Sequence, residues 1–303
     1  METEELLVGD EIGNVYLYAV EWPNQDQRDL FDWHGSMTLL ARISCHNQQV
    51  CGMAWSSDGH FFTTGGNDNS LYLFEAKKIL RKPKEQPQPG RARGNSDATV
   101  NVRSGAGRLA GQDEVLIITP GQHKHLFTLN AAVKAIAFAP WQSSLLAAGG
   151  GSNDRCIHFF HTLSGSALAT IDCHAQVTSL IWGEKRREIA ATFGFAQPEH
   201  AVRVAVFAWP SCKLIVAIPW VGEERALYAV SYPSLPAGST TQEAGEGRKE
   251  GCLVVATSDA SIKFHEVWSG LNRKGGSNGN GGWLGGSQIL EGTLAMERHP
   301  AIR

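Results

Sequence analysis

One apolar spacing recurs four times along this chain, and it limits what the chain can fold into. The pattern i, i+3, i+5 appears as Val50/Met53/Trp55, Val133/Ile136/Phe138, Val177/Leu180/Trp182 and Leu227/Val230/Tyr232. Three of the segments run on into a small-residue strand, a polar turn and a strand rich in aromatics. These continuations are FFTTGGNDNSLYLFE (61–75), LLAAGGGSNDRCIHFF (145–160) and CLVVATSDASIKFHEVW (252–268). The remaining one continues as EIAATFGF (188–195) and, after a longer turn, RVAVFAWP (203–210). The segments start at 50, 133, 177 and 227, which gives intervals of 83, 44 and 50 residues. A repeat of roughly 40–50 residues carrying several short strands is the length of one four-stranded propeller blade.

The long interval has its own explanation. Residues 77–122 hold Pro83, Pro87 and Pro89, a basic run and little periodicity, the composition of a disordered insertion. Removing these 46 residues from the 83 leaves 37, close to one blade. Ahead of the repeats, LLVGDEIGNVYLYAVEW (6–22) reads as the last two strands of a further blade. The chain is therefore expected to be all-β: an incomplete β-propeller of about four full blades and a partial one over residues 1–270. A flexible Gly-rich tail follows at 271–303. Glycine supplies 33 of 303 residues, above the usual ~7%, as many tight turns require. An ordinary β-sandwich is the competing all-β fold, but Asp68, Asp154 and Asp259 at matching turn offsets favour radial sheets. Their expected role is structural, each carboxylate accepting backbone N–H groups in its turn.

Other classes drop out on composition and motif. A net charge of −3, from 27 Lys+Arg against 30 Asp+Glu, does not suit a nucleic-acid groove or a polybasic membrane surface. No run of about 18 apolar residues occurs. The acidic start lacks a signal peptide's basic region, and the six cysteines form no CxxC pair, so reduced thiols are expected. HExxH and the P-loop are missing, so no catalytic residue, cofactor or metal set is expected. His46 and His174 open blades, where a histidine hydrogen-bonds neighbouring turns.

Several runs carry a more specific signal. HNQQVCGMAWSSDG (46–59), GGNDNSLYLF (65–74), AVKAIAFAPWQSSLLAAGGGSNDRCIHFF (132–160), HAQVTSLIW (174–182) and the terminal Ile302–Arg303 resemble the WD-repeat fizzy/fizzy-related family. Those proteins are co-activators of the anaphase-promoting complex, a ubiquitin ligase. VEWP (20–23), TFGFAQPEH (192–200) and WVGEERALYAVSYP (220–233) resemble its meiosis-specific fungal branch.

The resemblance implies substrate selection by a non-catalytic adaptor, with degron-bearing cell-cycle proteins and tetratricopeptide-repeat subunits of the ligase as partners. Neither nucleic acid nor membrane is among them, and the implied location is nucleus and cytoplasm. A KEN-box pocket is implied at Asn67, Asn69, Ser152, Gln176 and Arg225, with ligase docking by Ile302 and Arg303. Each pocket residue has a plainer alternative. Asn67 and Asn69 suit turn shaping, Gln176 suits a solvated loop, and Arg225 suits an ion pair with Glu223 or Glu224. The family's basic N-terminal docking box has no counterpart here, and the family has seven blades, so an N-terminally truncated member is expected. Ala260 stands where the resemblance implies an acidic residue for a destruction-box site.

Overall fold

The computed structural model describes residues 2–23, 34–80, 115–184, 186–197, 199–232 and 252–268. Its strands are β1 (Glu2–Gly9), β2 (Asn14–Trp22), β3 (Ser36–Ser44), β4 (Val50–Trp55), β5 (Phe61–Gly66) and β6 (Ser70–Glu75). A one-turn helix α1 (Ala76–Ile79) precedes β7 (Leu116–Ile118) and β8 (His125–Thr128). Then come β9 (Val133–Ala139), β10 (Gln142–Gly150), β11 (Cys156–His161), β12 (Ala167–Asp172), β13 (Ala175–Trp182) and β14 (Glu188–Ala196). The last are β15 (Val202–Ala208), β16 (Leu214–Pro219), β17 (Ala226–Tyr232), β18 (Cys252–Thr257) and β19 (Ile262–His265).

These strands build five sheets, in the orders β1-β2-β3-β7, β4-β5-β6-β8, β9-β10-β11-β12, β13-β14-β15-β16 and β17-β18-β19. The four apolar repeats are β4, β9, β13 and β17, the first strands of the second to fifth sheets, and consecutive ones lie side by side. The third and fourth sheets are antiparallel meanders of chain-consecutive strands joined by short turns, and the fifth is antiparallel throughout.

Glycine fixes the spacing between sheets. A Cβ on Gly65 in β5 would lie 2.9 Å from Val133 Cβ at the start of β9, and one on Gly149 in β10 would lie 2.6 Å from Val177 Cβ in β13. Gly9 in β1 stands in the same relation to Val50 of β4, at 2.8 Å. So β1 holds the place of a second strand, and among the described residues no strand lies inside it. Segment 6–22 supplies two adjacent strands of a blade but not its last two, because β3 and β7 follow them on the outside of the sheet.

Strand β7 pairs with β3 in parallel, the only parallel ladder among the described residues. Ordered elements thus reach into both ends of the 77–122 stretch. Ile79 and Ile118 are buried with Val15, Ile43, Phe62 and Phe74 between the first two sheets, and that burial holds α1 and β7 in place. Residues 81–114 and the 271–303 tail lie outside the described residues.

The core lies between successive sheets. Phe62 and Phe74 stack at 5.1 Å in the second sheet, and Phe159 and Trp182 meet edge-on at 5.9 Å between the third and fourth. Full burial of each such ring contributes about 1.5–3 kcal/mol. Stacking in this manner leaves two end faces. On the fifth sheet Tyr228, Val230, Tyr232, Ile262 and Phe264 point outward, with Phe264 67% exposed. On the first sheet Leu6, Val8 and Met37 do likewise.

Candidate functional site

Each first strand starts at the same end of its sheet as the turn between the second and third strands. Hydrogen bonds stitch every lead-in loop to that turn. Asn67 N–H donates to Gln49 O at 2.8 Å, Gly151 N–H to Ala132 O at 3.0 Å, Gln197 N–H to His174 O at 2.8 Å and Ser258 N–H to Arg225 O at 3.0 Å. Asn67, Asn69, Ser152, Gln176 and Arg225 therefore share one end of the fold, distributed over four sheets.

The turn aspartates organise this end. Asp68, Asp154 and Asp259 each accept the N–H two residues on, from Ser70, Cys156 and Ser261. Asp10 does the same for Ile12 and also takes Asn14 N–H at 2.7 Å, a fourth turn of the kind that the sequence reading did not single out. Asp68 and Asp154 also reach across to the lead-in loop, accepting from Asn47 N–H and Asn130 N–H. The residue after each of Asp68, Asp154 and Asp259 has left-handed backbone: Asn69 at φ 64°, Arg155 at 60° and Ala260 at 63°. That conformation favours asparagine among side-chain-bearing residues, so the backbone alone accounts for Asn69. Ala260 is likewise a turn residue.

His46 is held most completely. Its Nδ1 lies 3.0 Å from Asp68 Oδ1, its Nε2 lies 2.9 Å from Thr64 Oγ1, and Tyr72 meets its ring edge-on at 4.9 Å. The imidazole is a buried strut that ties the lead-in loop to the turn. His174 takes no such part: its backbone is left-handed at φ 48° and its ring pairs weakly with Asp172 at 3.4 Å.

Side-chain freedom separates the candidates. Asn67, Ser152 and Arg225 are exposed. Among the described residues no ion pair engages the Arg225 guanidinium, so the neighbouring Glu223 and Glu224 leave it free. Gln176 is half-buried and turned onto its own sheet, where Phe195 N–H approaches its Oε1 at 3.5 Å and a Cβ on Gly194 would lie 2.7 Å away. Ile302 and Arg303 lie outside the described residues.

Two arginines that sequence reasoning passed over brace this end. Arg155 reaches from the third sheet to Gln197 O of the fourth at 2.5 Å. Arg203, 3% exposed, donates to Glu224 O, His200 O and Val202 O and pairs with Glu199. It thereby fixes the loop that delivers Arg225. His200 is buried, and that burial, against a hydrogen bond with Cys173 O, lowers its pKa. Asp259 is held down to about 2, chiefly by the Thr257 and Ser261 hydroxyls.

Comparison with known proteins agrees with this geometry. The family pattern "WD domain, G-beta repeat" matches residues 37–75, which span β3 to β6. Meiosis-specific APC/C activator protein AMA1 of Saccharomyces cerevisiae is 31% identical over 270 residues, 86% of this chain and 36% of the relative. Meiotic fizzy-related protein 2 of Schizosaccharomyces pombe is 29% identical over 273 residues, 87% of this chain and 42% of the relative. A chain in a crystal structure of the mitotic checkpoint complex superposes with a TM-score of 0.58 at 27% identity, covering 89% of this chain and 62% of that one. The chain thus spans about 40% of the length of the curated relatives it matches. By sheet architecture and by descent, it is a WD-repeat propeller protein homologous to the fizzy-related proteins and to a meiosis-specific activator of the anaphase-promoting complex.

Proposed function

We propose that this chain is a substrate-recognition co-activator of the anaphase-promoting complex, a non-catalytic adaptor that grips KEN-type degrons. The observation that carries the reading is the similarity to a protein named as an APC/C activator, over 86% of the chain. The candidate side chains support it by sharing one end of the fold. A KEN motif offers an ammonium, a carboxylate and an amide. The free Arg225 guanidinium pairs with the carboxylate, while Asn67 and Ser152 give donors and acceptors to the amide and the peptide backbone. Gln176 joins by turning away from Phe195 N–H, and Asn69 mainly holds the turn. Ile302 and Arg303 dock in a groove of the ligase's tetratricopeptide-repeat subunits. Nucleus and cytoplasm are the places of action.

A charge-assisted bond from Arg225 is worth about 1.5–3 kcal/mol. Arg225→Ala is therefore expected to weaken binding of a fluorescent KEN-bearing peptide by roughly 10- to 150-fold in a polarisation assay. Arg225 is exposed, so the fold is unaffected. Equal polarisation with a peptide whose KEN residues are alanine, or full affinity in both Arg225→Ala and Asn67→Ala, would refute the assignment and leave a WD-repeat scaffold for another partner.

A further inference from the structure

The third sheet departs from its siblings at one turn. In the first, second and fifth sheets, which share its aspartate turn, the first residue of the strand after the turn is Asn14, Ser70 or, just ahead of β19, Ser261. Two residues on, the same face carries Tyr16, Tyr72 and Lys263. In the third sheet these two places hold Cys156 and His158. The turn plainly folds with Ser and Tyr there, so a thiol and an imidazole together are not demanded by the architecture.

The geometry points to a divalent transition-metal site of the zinc class formed by Asp154, Cys156 and His158. One carboxylate oxygen, the Cys156 sulfur and one imidazole nitrogen all lie within 4.8 Å of one another. Neighbouring ligand atoms around tetrahedral zinc are about 3.3–3.7 Å apart, given bonds of about 2.0–2.3 Å, so side-chain shifts of about 1 Å bring the three together. Residues 156 and 158 project from the same face of β11 because strand side chains alternate. Asp154 comes from the turn immediately before, its carboxylate already anchored by Asn130 N–H at 3.2 Å and Cys156 N–H at 3.4 Å.

Without metal, His158 Nε2 lies 2.8 Å from Asp154 Oδ2 and Nδ1 lies 3.4 Å from Thr170 Oγ1. Metal replaces the first of these bonds. The ring proton then sits on Nδ1 and is donated to Thr170, freeing the Nε2 lone pair for the ion, the usual outer-shell arrangement for a ligating histidine. The thiol proton leaves to solvent, and the metal takes its place on sulfur. One thiolate, one carboxylate and a neutral imidazole balance a 2+ charge. Thiolate with imidazole favours zinc over magnesium or calcium. A water completes four ligands. Asp172 faces Cys156 across the β11–β12 pair, its Oδ1 already accepting from His174 N–H at 2.9 Å.

The test uses the full chain, stripped of metal and kept reduced, titrated with cobalt(II). One equivalent is expected to raise a thiolate-to-cobalt charge-transfer band and the intense visible bands of a tetrahedral ion, and one equivalent of zinc should bleach both. Cys156→Ser and His158→Tyr install residues that sibling sheets carry, so both variants retain the far-UV spectrum. Cys156→Ser is expected to lose the charge-transfer band, and each variant to bind cobalt at least tenfold more weakly. A wild-type chain with no charge-transfer band, a band that survives in Cys156→Ser, or undiminished cobalt affinity in His158→Tyr would overturn the proposal. If Cys156→Ser fails to fold, the His158→Tyr affinity decides alone.

Discussion

Gly149→Ala tests the sheet-to-sheet packing directly. The added methyl would lie 2.4 Å from Val177 Cγ1 and 2.6 Å from Val177 Cβ, with Ala135 Cβ at 3.1 Å. Overpacking of this kind costs about 1–3 kcal/mol, while replacing glycine restricts the unfolded chain and returns about 0.4–1 kcal/mol. The net loss is then between about 0 and 2.6 kcal/mol. Val177→Ala alone removes two buried methyl groups and costs about 2 kcal/mol. In the double variant the nearest clashing atom is gone, so the two losses should fall short of additivity by about 1 kcal/mol. Gly65→Ala is the internal control. Its methyl meets a backbone oxygen, Val133 O at 2.4 Å, which Val133→Ala cannot remove. That pair should be closer to additive. Urea unfolding followed by tryptophan fluorescence yields all the terms. A stabilising Gly149→Ala, or the same coupling in both pairs, would refute the packing described here.

Further outcomes follow from single sites. Asp68→Ala strands His46 Nδ1, whose side chain is 1% exposed, and removes the bond to Asn47 N–H. It should cost about 1–3 kcal/mol in the same unfolding assay, and a cost within error of zero would remove His46 as a strut. Ala260→Gly relieves left-handed backbone at φ 63° and should raise stability by about 0.5–1 kcal/mol in thermal melts; a loss would mean the turn differs from the one described. Burial lowers the folded pKa of His200 and of His265. Their contribution is present above the unfolded value of about 6.5 and is lost as pH falls through that value toward the folded ones. Melting temperature should therefore drop between about pH 7 and 5, less steeply in His200→Gln, and parallel slopes would discount the residue. Phe264→Lys and Val230→Lys, on the outward face of the fifth sheet, should slow aggregation in light scattering without lowering the melting temperature; unchanged scattering would show that this face does not drive it.

The strands lining the inside of the stack were legible because each carries the same three apolar positions, and β4, β9, β13 and β17 fall on them. The turns were legible for a related reason: an aspartate two residues ahead of a strand N–H is a local device. What could not be read depends on contacts distant in sequence. Strand β7 is three residues long, and it forms because Ile118 finds a pocket between the first two sheets. That β1 is a second strand follows from the Gly9–Val50 approach, which no local pattern records. Within the candidate site, the shared end was implied by the loop positions. The freedom of Arg225, the inward turn of Gln176 and the bracing by Arg203 emerge only from side-chain placement.

The central claim is that this chain carries a degron-bearing protein to the anaphase-promoting complex. The most direct measurement immobilises the complex, freed of its own activators, and follows retention of a labelled KEN-bearing fragment with and without the purified chain. The account predicts retention only when the chain is added, with loss on Arg225→Ala in the chain or alanine at the fragment's KEN residues. Equal retention with and without the chain, or retention indifferent to both changes, would contradict it.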